Sequence, residues 1–248
     1  MESVNPDREA TVLDVACGPG YVALSFAAVC REVIGIDLSS EMLRIAERNC
    51  RESGCSNLRF QLGDAVRLPF PDESFDDVVS RFAFHHFDDP AQVLAEMDRS
   101  CRTGGTMAVE DVVVSKHLAR AAYKNHSERL RDPSHVEAHP VCRFLSRFTA
   151  RSLDVEDIQV NHIVPSVDGW LRNAAPADRA SEVRDLLARD STEDLNGTRP
   201  SFHNGRWVFT HQPAIVVAQR PSVKRDVSSR IHQAGKCHKP DSFLIPRR

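Results

Sequence analysis

A chain of 248 residues, 41% hydrophobic and 27% charged, is long enough to bury a substantial core and has the make-up of an ordinary globular protein. Its net charge of −3 gives no general attraction to nucleic acid or anionic membranes, and no run approaches the roughly 18 apolar residues of a membrane span. Seven dispersed cysteines without a C-x-x-C pair argue against a disulfide framework and against a metal site; with the polar, acidic residues 1–10 they predict a cytoplasmic protein.

Residues 11–16 (TVLDVA) read as an apolar strand that stops in Gly18-Pro19-Gly20, and 21–30 read as the helix that follows. EVIGID (32–37) is a second strand. Ser39 is suited to cap a helix carrying Met42, Ile45, Ala46 and Asn49 and ending before Gly54. NLRFQLGD (57–64) and FDDVVS (75–80) are the third and fourth strands. Asp89 followed by Pro90 opens a helix with Val93, Leu94 and Met97 on one face. Gly104-Gly105 closes the next connection, and TMAVEDVVV (106–114) is a fifth strand. Strands alternating with helices at this spacing predict a parallel sheet covered on both faces.

Beyond Val114 the pattern changes. Residues 116–150 read as polar helix with a break at RDPSH (131–135), 157–164 as a strand, and 166–190 as helices around Trp170 and Leu186. RWVFTHQPAIVVAQR (206–220) reads as a strand pair or one strand broken at Pro213. The stretch 221–248 holds seven Lys/Arg against two Asp and few core-forming residues, so it is expected to be a disordered basic tail. The whole predicts one α/β domain over 8–220 with a helical cap at about 116–150.

Glycines between a first strand and a helix let the backbone approach a ligand, and the helix N-terminus favours an anionic group there. Asp37, 17 residues after Gly20, closes the second strand where a carboxylate can accept both hydroxyls of a ribose. GPGYVA also satisfies G-x-G-x-x-A, so a nicotinamide-dependent oxidoreductase stays open on these residues alone. Asp14 argues the other way: a carboxylate at the end of the first strand suits a ligand with an ammonium group. Asp64 and Ala65 end the third strand, where a carboxylate can accept from an adenine amine.

Together, LDVACGPG, GIDLSSEML, GDAVRLPFPDESFDDVVSRFAFHHFDDP and RTGGTM resemble the class I S-adenosylmethionine-dependent methyltransferases, nearest the type 11 group that includes the ubiquinone and menaquinone C-methyltransferases. The resemblance is strong over about 10–115 and looser over 116–220. It implies a doubly wound, mostly parallel, Rossmann-like α/β sheet of seven strands, the last antiparallel. It also implies S-adenosylmethionine as cofactor: Asp14, Gly18 and Gly20 at the methionine portion, Asp37 at the ribose, Leu38 and Met42 flanking the adenine, Asp64 with Ala65 at its edge, and the Arg81–Phe82 backbone closing the other side. About ten residues precede the first strand, fewer than in relatives, so either the sequence is a fragment or 116–150 does all the covering of the cofactor, and a non-catalytic binding protein stays an alternative. The usual proline of the basic-Pro-Gly-Gly turn is missing from RTGG.

Methyl transfer from a sulfonium needs alignment above all, and a general base only where the acceptor must lose a proton. Of His85 and His86, which follow the fourth strand, His86 is the preferred base; Asp111 is a second candidate. His126, Arg129 and His135 lie in the expected cap, where a solvated helix face is the blander reading. The acceptor is expected to be a small molecule, quinone-like or lipid-like. Nucleic acid is not expected, because no basic groove with interleaved aromatics is visible.

Overall fold

The computed structural model describes residues 4–172, 176 and 178–222. In chain order its strands are β1 (Thr11–Val15), β2 (Glu32–Asp37), β3 (Leu58–Leu62), β4 (Phe75–Arg81), β5 (Cys101–Val112), β6 (Asp154–Val160), β7 (Ser201–His203), β8 (Arg206–Val208) and β9 (Pro213–Gln219). β7 and β8 form a small hairpin; the others make one sheet in the order β3-β2-β1-β4-β5-β9-β6. β1 through β5 pair in parallel, and β9 runs antiparallel to both β5 and β6.

Strand periodicity builds the two layers. Leu13 and Val15 point to one face, covered by α3 (Pro90–Ser100) and α5 (Val141–Ala150); Val12 points to the other, covered by α1 (Tyr21–Ala27) and α2 (Ser40–Ser53). The helix ends obey their local chemistry. The Ser39 hydroxyl accepts the Met42 amide at 3.3 Å, Gly54 closes α2 with φ 71°, and Asp89 Oδ1 accepts the Ala91 and Gln92 amides ahead of Pro90.

Three elements differ from their expected form. Gly104-Gly105 lies inside β5, which begins at Cys101: Gly105 backs onto the Asp76 carbonyl with no room for a side chain, where the β4–β5 register shifts. β6 begins and ends earlier than 157–164, because its register on β9 shifts between Val155 and Asp157 and it is an edge strand, largely exposed. The helical stretch 116–150 divides: Phe144 and Phe148 of α5 are buried in the sheet core, whereas α4 (Leu118–Arg131) packs on α7 (Ala180–Glu193). A separate small core, centred on Trp170, Leu171, Val183, Leu187 and Phe209, joins α6 (Val167–Arg172) and α7, with Leu130 of α4 packed against it. The expected tail falls, beyond residue 222, outside the described residues.

Candidate active site

The turn after β1 puts alternate residues in the left-handed region: Ala16 at φ 54°, Gly18 at 53° and Gly20 at 81°. The two glycines serve different ends. A Cβ on Gly18 would meet nothing within 4 Å, so its backbone borders open space. One on Gly20 would sit 2.9 Å from Phe60 Cζ and 3.0 Å from Ala46 Cβ, so packing between α2 and β3 fills that place. Gly20→Ala is therefore expected to lower stability by roughly 1–3 kcal/mol, from left-handed strain plus overpacking. Gly18→Ala should show the strain alone. Denaturant unfolding of the two variants checks the difference; equal losses would remove it.

The carboxylates converge on this turn. Asp14, 1% exposed, accepts the Ala23 amide through Oδ2 at 3.0 Å and so braces the first turn of α1. Burial, partly offset by that hydrogen bond, pushes its pKa up to about 7. Asp37 accepts the Gly18 amide through Oδ2 and the Ser39 amide through Oδ1, both at 2.8 Å, which locks the turn to the end of β2. Leu38, 71% exposed, and Leu62, 58% exposed, are large apolar side chains left open at the ends of β2 and β3, where Leu62 pairs with Asp37. Met42 is half-buried one turn into α2. Asp64 is exposed, its Oδ1 turned onto the Val66 amide, and Ala65 is buried beside it.

On the other side of β1, Arg81 and Phe82 end β4. Arg81 Nε pairs with Glu110 at 2.9 Å and its guanidinium lies 4.4 Å from the Phe82 ring centre. Phe82 is left-handed (φ 53°), its amide donating to the Glu110 carbonyl at 2.8 Å. It leads into a cavity of about 740 Å³ lined by Phe82, His85, His86, Glu128, Arg131 and Trp170 among others. His85 is buried there; its Nδ1 meets Asp111 Oδ1 at 2.6 Å and its amide donates to Oδ2 at 2.7 Å. Burial alone would lower the His85 pKa, but the charge and hydrogen bond of Asp111 outweigh it and the net shift is upward. His86, its ring 4.0 Å from that of His85, meets the Ser134 carbonyl through Nδ1 at 3.0 Å; burial, then the charge of His85, lowers its pKa.

A glycine turn, a carboxylate near each of the first two strand ends and a cavity beyond the fourth thus lie along the carboxyl edge of the sheet. Known proteins resemble this chain. A family model described as "Methyltransferase domain" matches residues 13–109. The uncharacterized methyltransferase YcgJ of Bacillus subtilis is 37% identical over 186 residues, which is 75% of this chain and 74% of that protein. This chain belongs to the methyltransferase-domain family. The crystal structure of YcgJ superposes with a TM-score of 0.82 at 30% identity, covering 89% of this chain and 95% of that one. The protein BH2331 of Bacillus halodurans gives 0.81 at 27% identity, covering 89% and 96%. The demethylmenaquinone methyltransferase of Geobacillus kaustophilus is 36% identical over 108 residues, 42% of this chain and 46% of that protein.

Membership sets the oxidoreductase reading of G-x-G-x-x-A aside, along with that of a protein that binds without catalysing. Among the methyltransferase's described residues no helix is long and apolar enough to cross a membrane. His126 and Arg129 lie on the solvated face of α4, as the blander reading of that helix has it. Glu128 and Arg131 line the cavity instead. His135 is buried behind His85, ring centres 5.2 Å apart, with Nε2 on Asn125 Oδ1 at 2.8 Å. Trp170 and His211, which carried no signal in the sequence beyond their type, complete the lining.

Proposed function

We propose that this methyltransferase uses S-adenosylmethionine, bound over the glycine turn, to methylate a small-molecule acceptor held in the 740 Å³ cavity, with His85 and Asp111 removing a proton from it. The observation that carries the reading is His85, held by the buried Asp111 and lining a cavity that also takes in Phe82, the residue after β4. The residues suit the cofactor. Open space over Gly18 admits its backbone, the buried Asp14 carboxylate lacks a neutralising cation in hydrogen-bond contact among the described residues, and the exposed Leu38 and Leu62 suit an apolar ring. Asp14 would take the ammonium of the methionine portion, Asp37 the ribose hydroxyls, Leu38 and Met42 the faces of the adenine, Asp64 with Ala65 its edge, and Arg81–Phe82 the far side. Bound there, the group supplies a methyl on a sulfonium, a carbon already activated for displacement.

The protein's own part is alignment and proton removal. Asp111 fixes the His85 ring through Nδ1, which leaves Nε2 as the free nitrogen. We assign the base to His85 in place of the expected His86, because among the described residues no carboxylate is hydrogen-bonded to His86, and its pKa falls. α4 and α6 wall the acceptor's side, while the six described cysteines, all free, support a reducing, cytoplasmic setting.

The test is binding before turnover. S-adenosylhomocysteine should bind and NAD should not. Asp37→Ala should weaken binding at least about tenfold, the value of one charge-assisted pair of hydrogen bonds. Because Asp14 must be ionised to hold an ammonium, affinity should fall as pH drops from about 7, by about tenfold or more at pH 5.5, and Asp14→Asn should flatten the profile. Calorimetry reads both; a folded Asp37→Ala protein with unchanged affinity would sink the cofactor site.

A further inference from the structure

A second cavity, of about 440 Å³, meets α4 at Arg120 and Lys124, nearer its start than the Glu128 and Arg131 that line the acceptor cavity, and contains none of the residues assigned to methyl transfer. It is walled by the stretch after β5 (Val113 to Ser115), Arg120 and Lys124 of α4, His162, the loop Asn196 to Arg199, Thr210 and Gln212.

The loop that forms its rim is held in advance. Asp190, 1% exposed, accepts the Asn196 amide through Oδ1 at 2.8 Å and the Thr198 hydroxyl through Oδ2 at 2.9 Å, and the Thr210 amide donates to the Thr198 carbonyl at 2.7 Å. Asn196 is itself 6% exposed. Its Oδ1 accepts the Thr198 amide at 2.7 Å, which fixes the orientation of the amide group. Its Nδ2 is then a buried donor with no partner among the described residues. Buried donors are almost always satisfied, so this one, on a residue that lines the cavity, calls for an acceptor from outside the protein.

Charge gives the sign of that acceptor. Three of the lining side chains are cationic. Arg120 is paired with Asp194 at 2.8 Å, and Lys124 with Glu128 at 2.8 Å. His162 Nε2 is occupied by the Gln212 amide at 3.0 Å. Arg199 is exposed at the rim, has no carboxylate partner among the described residues and is held at φ 48°, a conformation arginine rarely adopts. Asp190, Asp194 and Glu128 each hold at least one partner, Asp194 through Oδ2 alone, and the site presents one uncommitted cation beside one uncommitted amide donor. Two planar donors of this kind match the oxygens of an oxyanion, and an arginine fork suits carboxylate and phosphate alike. The cavity is larger than such a group by itself, so the oxyanion belongs to a larger molecule.

We propose that this cavity is a binding site for a small molecule bearing a carboxylate or phosphate group, held by Arg199 and the Asn196 amide and separate from the methyl-transfer cleft. The whole chain would be titrated calorimetrically with acetate, inorganic phosphate and glycerol 3-phosphate, at ionic strength fixed with chloride. At least one probe is expected to bind in the millimolar range or tighter, and the preferred one distinguishes carboxylate from phosphate. Arg199→Gln should weaken it about tenfold or more, the loss of a charge-assisted pair. Asn196→Asp keeps the acceptor for Thr198 but replaces the donor by a charge, and should abolish binding. S-adenosylhomocysteine affinity should stay unchanged in Arg199→Gln, so the outcome is independent of the proposed cofactor site. No binding by any probe, or binding indifferent to both substitutions, overturns the proposal.

Discussion

Replacing His85 by alanine is expected to cut methyl transfer by a hundredfold or more, the usual contribution of a positioned general base, with S-adenosylhomocysteine affinity held within a few fold. The expectation follows from two opposing effects on one imidazole. Burial disfavours the charged ring, and Asp111, 2.6 Å away, favours it more strongly, so the His85 pKa lies above its ordinary 6.5. A raised pKa means that the pair stabilises the fold fully below about pH 6.5 and loses that contribution as pH rises through the folded value. As a base, His85 works only above its own pKa. Turnover should therefore rise with pH on the alkaline side of 6.5, and Asp111→Asn should move that limb downward while lowering the plateau. A proton NMR titration of the His85 ring needs no acceptor: a midpoint at or below 6.5 in the native protein would remove the basis of the assignment. His85→Gln, closer in volume, separates lost chemistry from lost packing. Equal losses of thermal stability and turnover in both variants would make the residue structural.

The first half of the molecule was legible because each of its signals is local. The strands β1, β2 and β4 are apolar runs, Ser39 and Asp89-Pro90 are helix starts, and Gly18 and Asp37 stand at strand ends whatever the tertiary detail. Tertiary packing escapes such signals. Gly20 looks like a ligand-facing glycine in the sequence, yet its vacancy is filled by Phe60, forty residues on. His85 and His86 are adjacent and chemically identical, and only the position of Asp111 on β5 distinguishes them. α4 is the extreme case. Its buried residues are Lys124, Asn125, Ser127 and Glu128, every one polar, so hydropathy assigns that face to solvent. What holds it inside is mutual neutralisation, which has no signature in composition.

That buried charge cluster carries the largest stability effect expected here. The Glu128 side chain is 3% exposed and touches Lys124 at 2.8 Å and Arg131 at 3.2 Å; both cations lie against the Trp170 ring, and Lys124 also lies near Phe209. Burial would raise the Glu128 pKa, but these two cations, with His211, reverse the effect and hold it at about 2. Glu128→Gln would leave the buried Lys124 without its counter-charge and Arg131 with only Asp132, 3.8 Å away, and breaking a buried pair in this way costs about 3–5 kcal/mol in comparable sites. Since each kcal/mol shifts the melting temperature of a chain this size by roughly 2–4 °C, a fall of about 10 °C is expected at pH 7. The pH dependence has a definite sign. A depressed carboxyl pKa contributes stability above its unfolded value of about 4.5, and that contribution disappears as pH falls from there through about 2. The gap between native and Glu128→Gln proteins should therefore be widest near neutrality and narrow in acid. Lys124→Met with Glu128→Leu removes the pair together and should recover part of the loss, because the deficit comes from unbalanced charge and not from missing contacts. A single substitution within about 1 kcal/mol of the native protein at pH 7 would mean that water already screens the cluster, which the burial of all three side chains argues against.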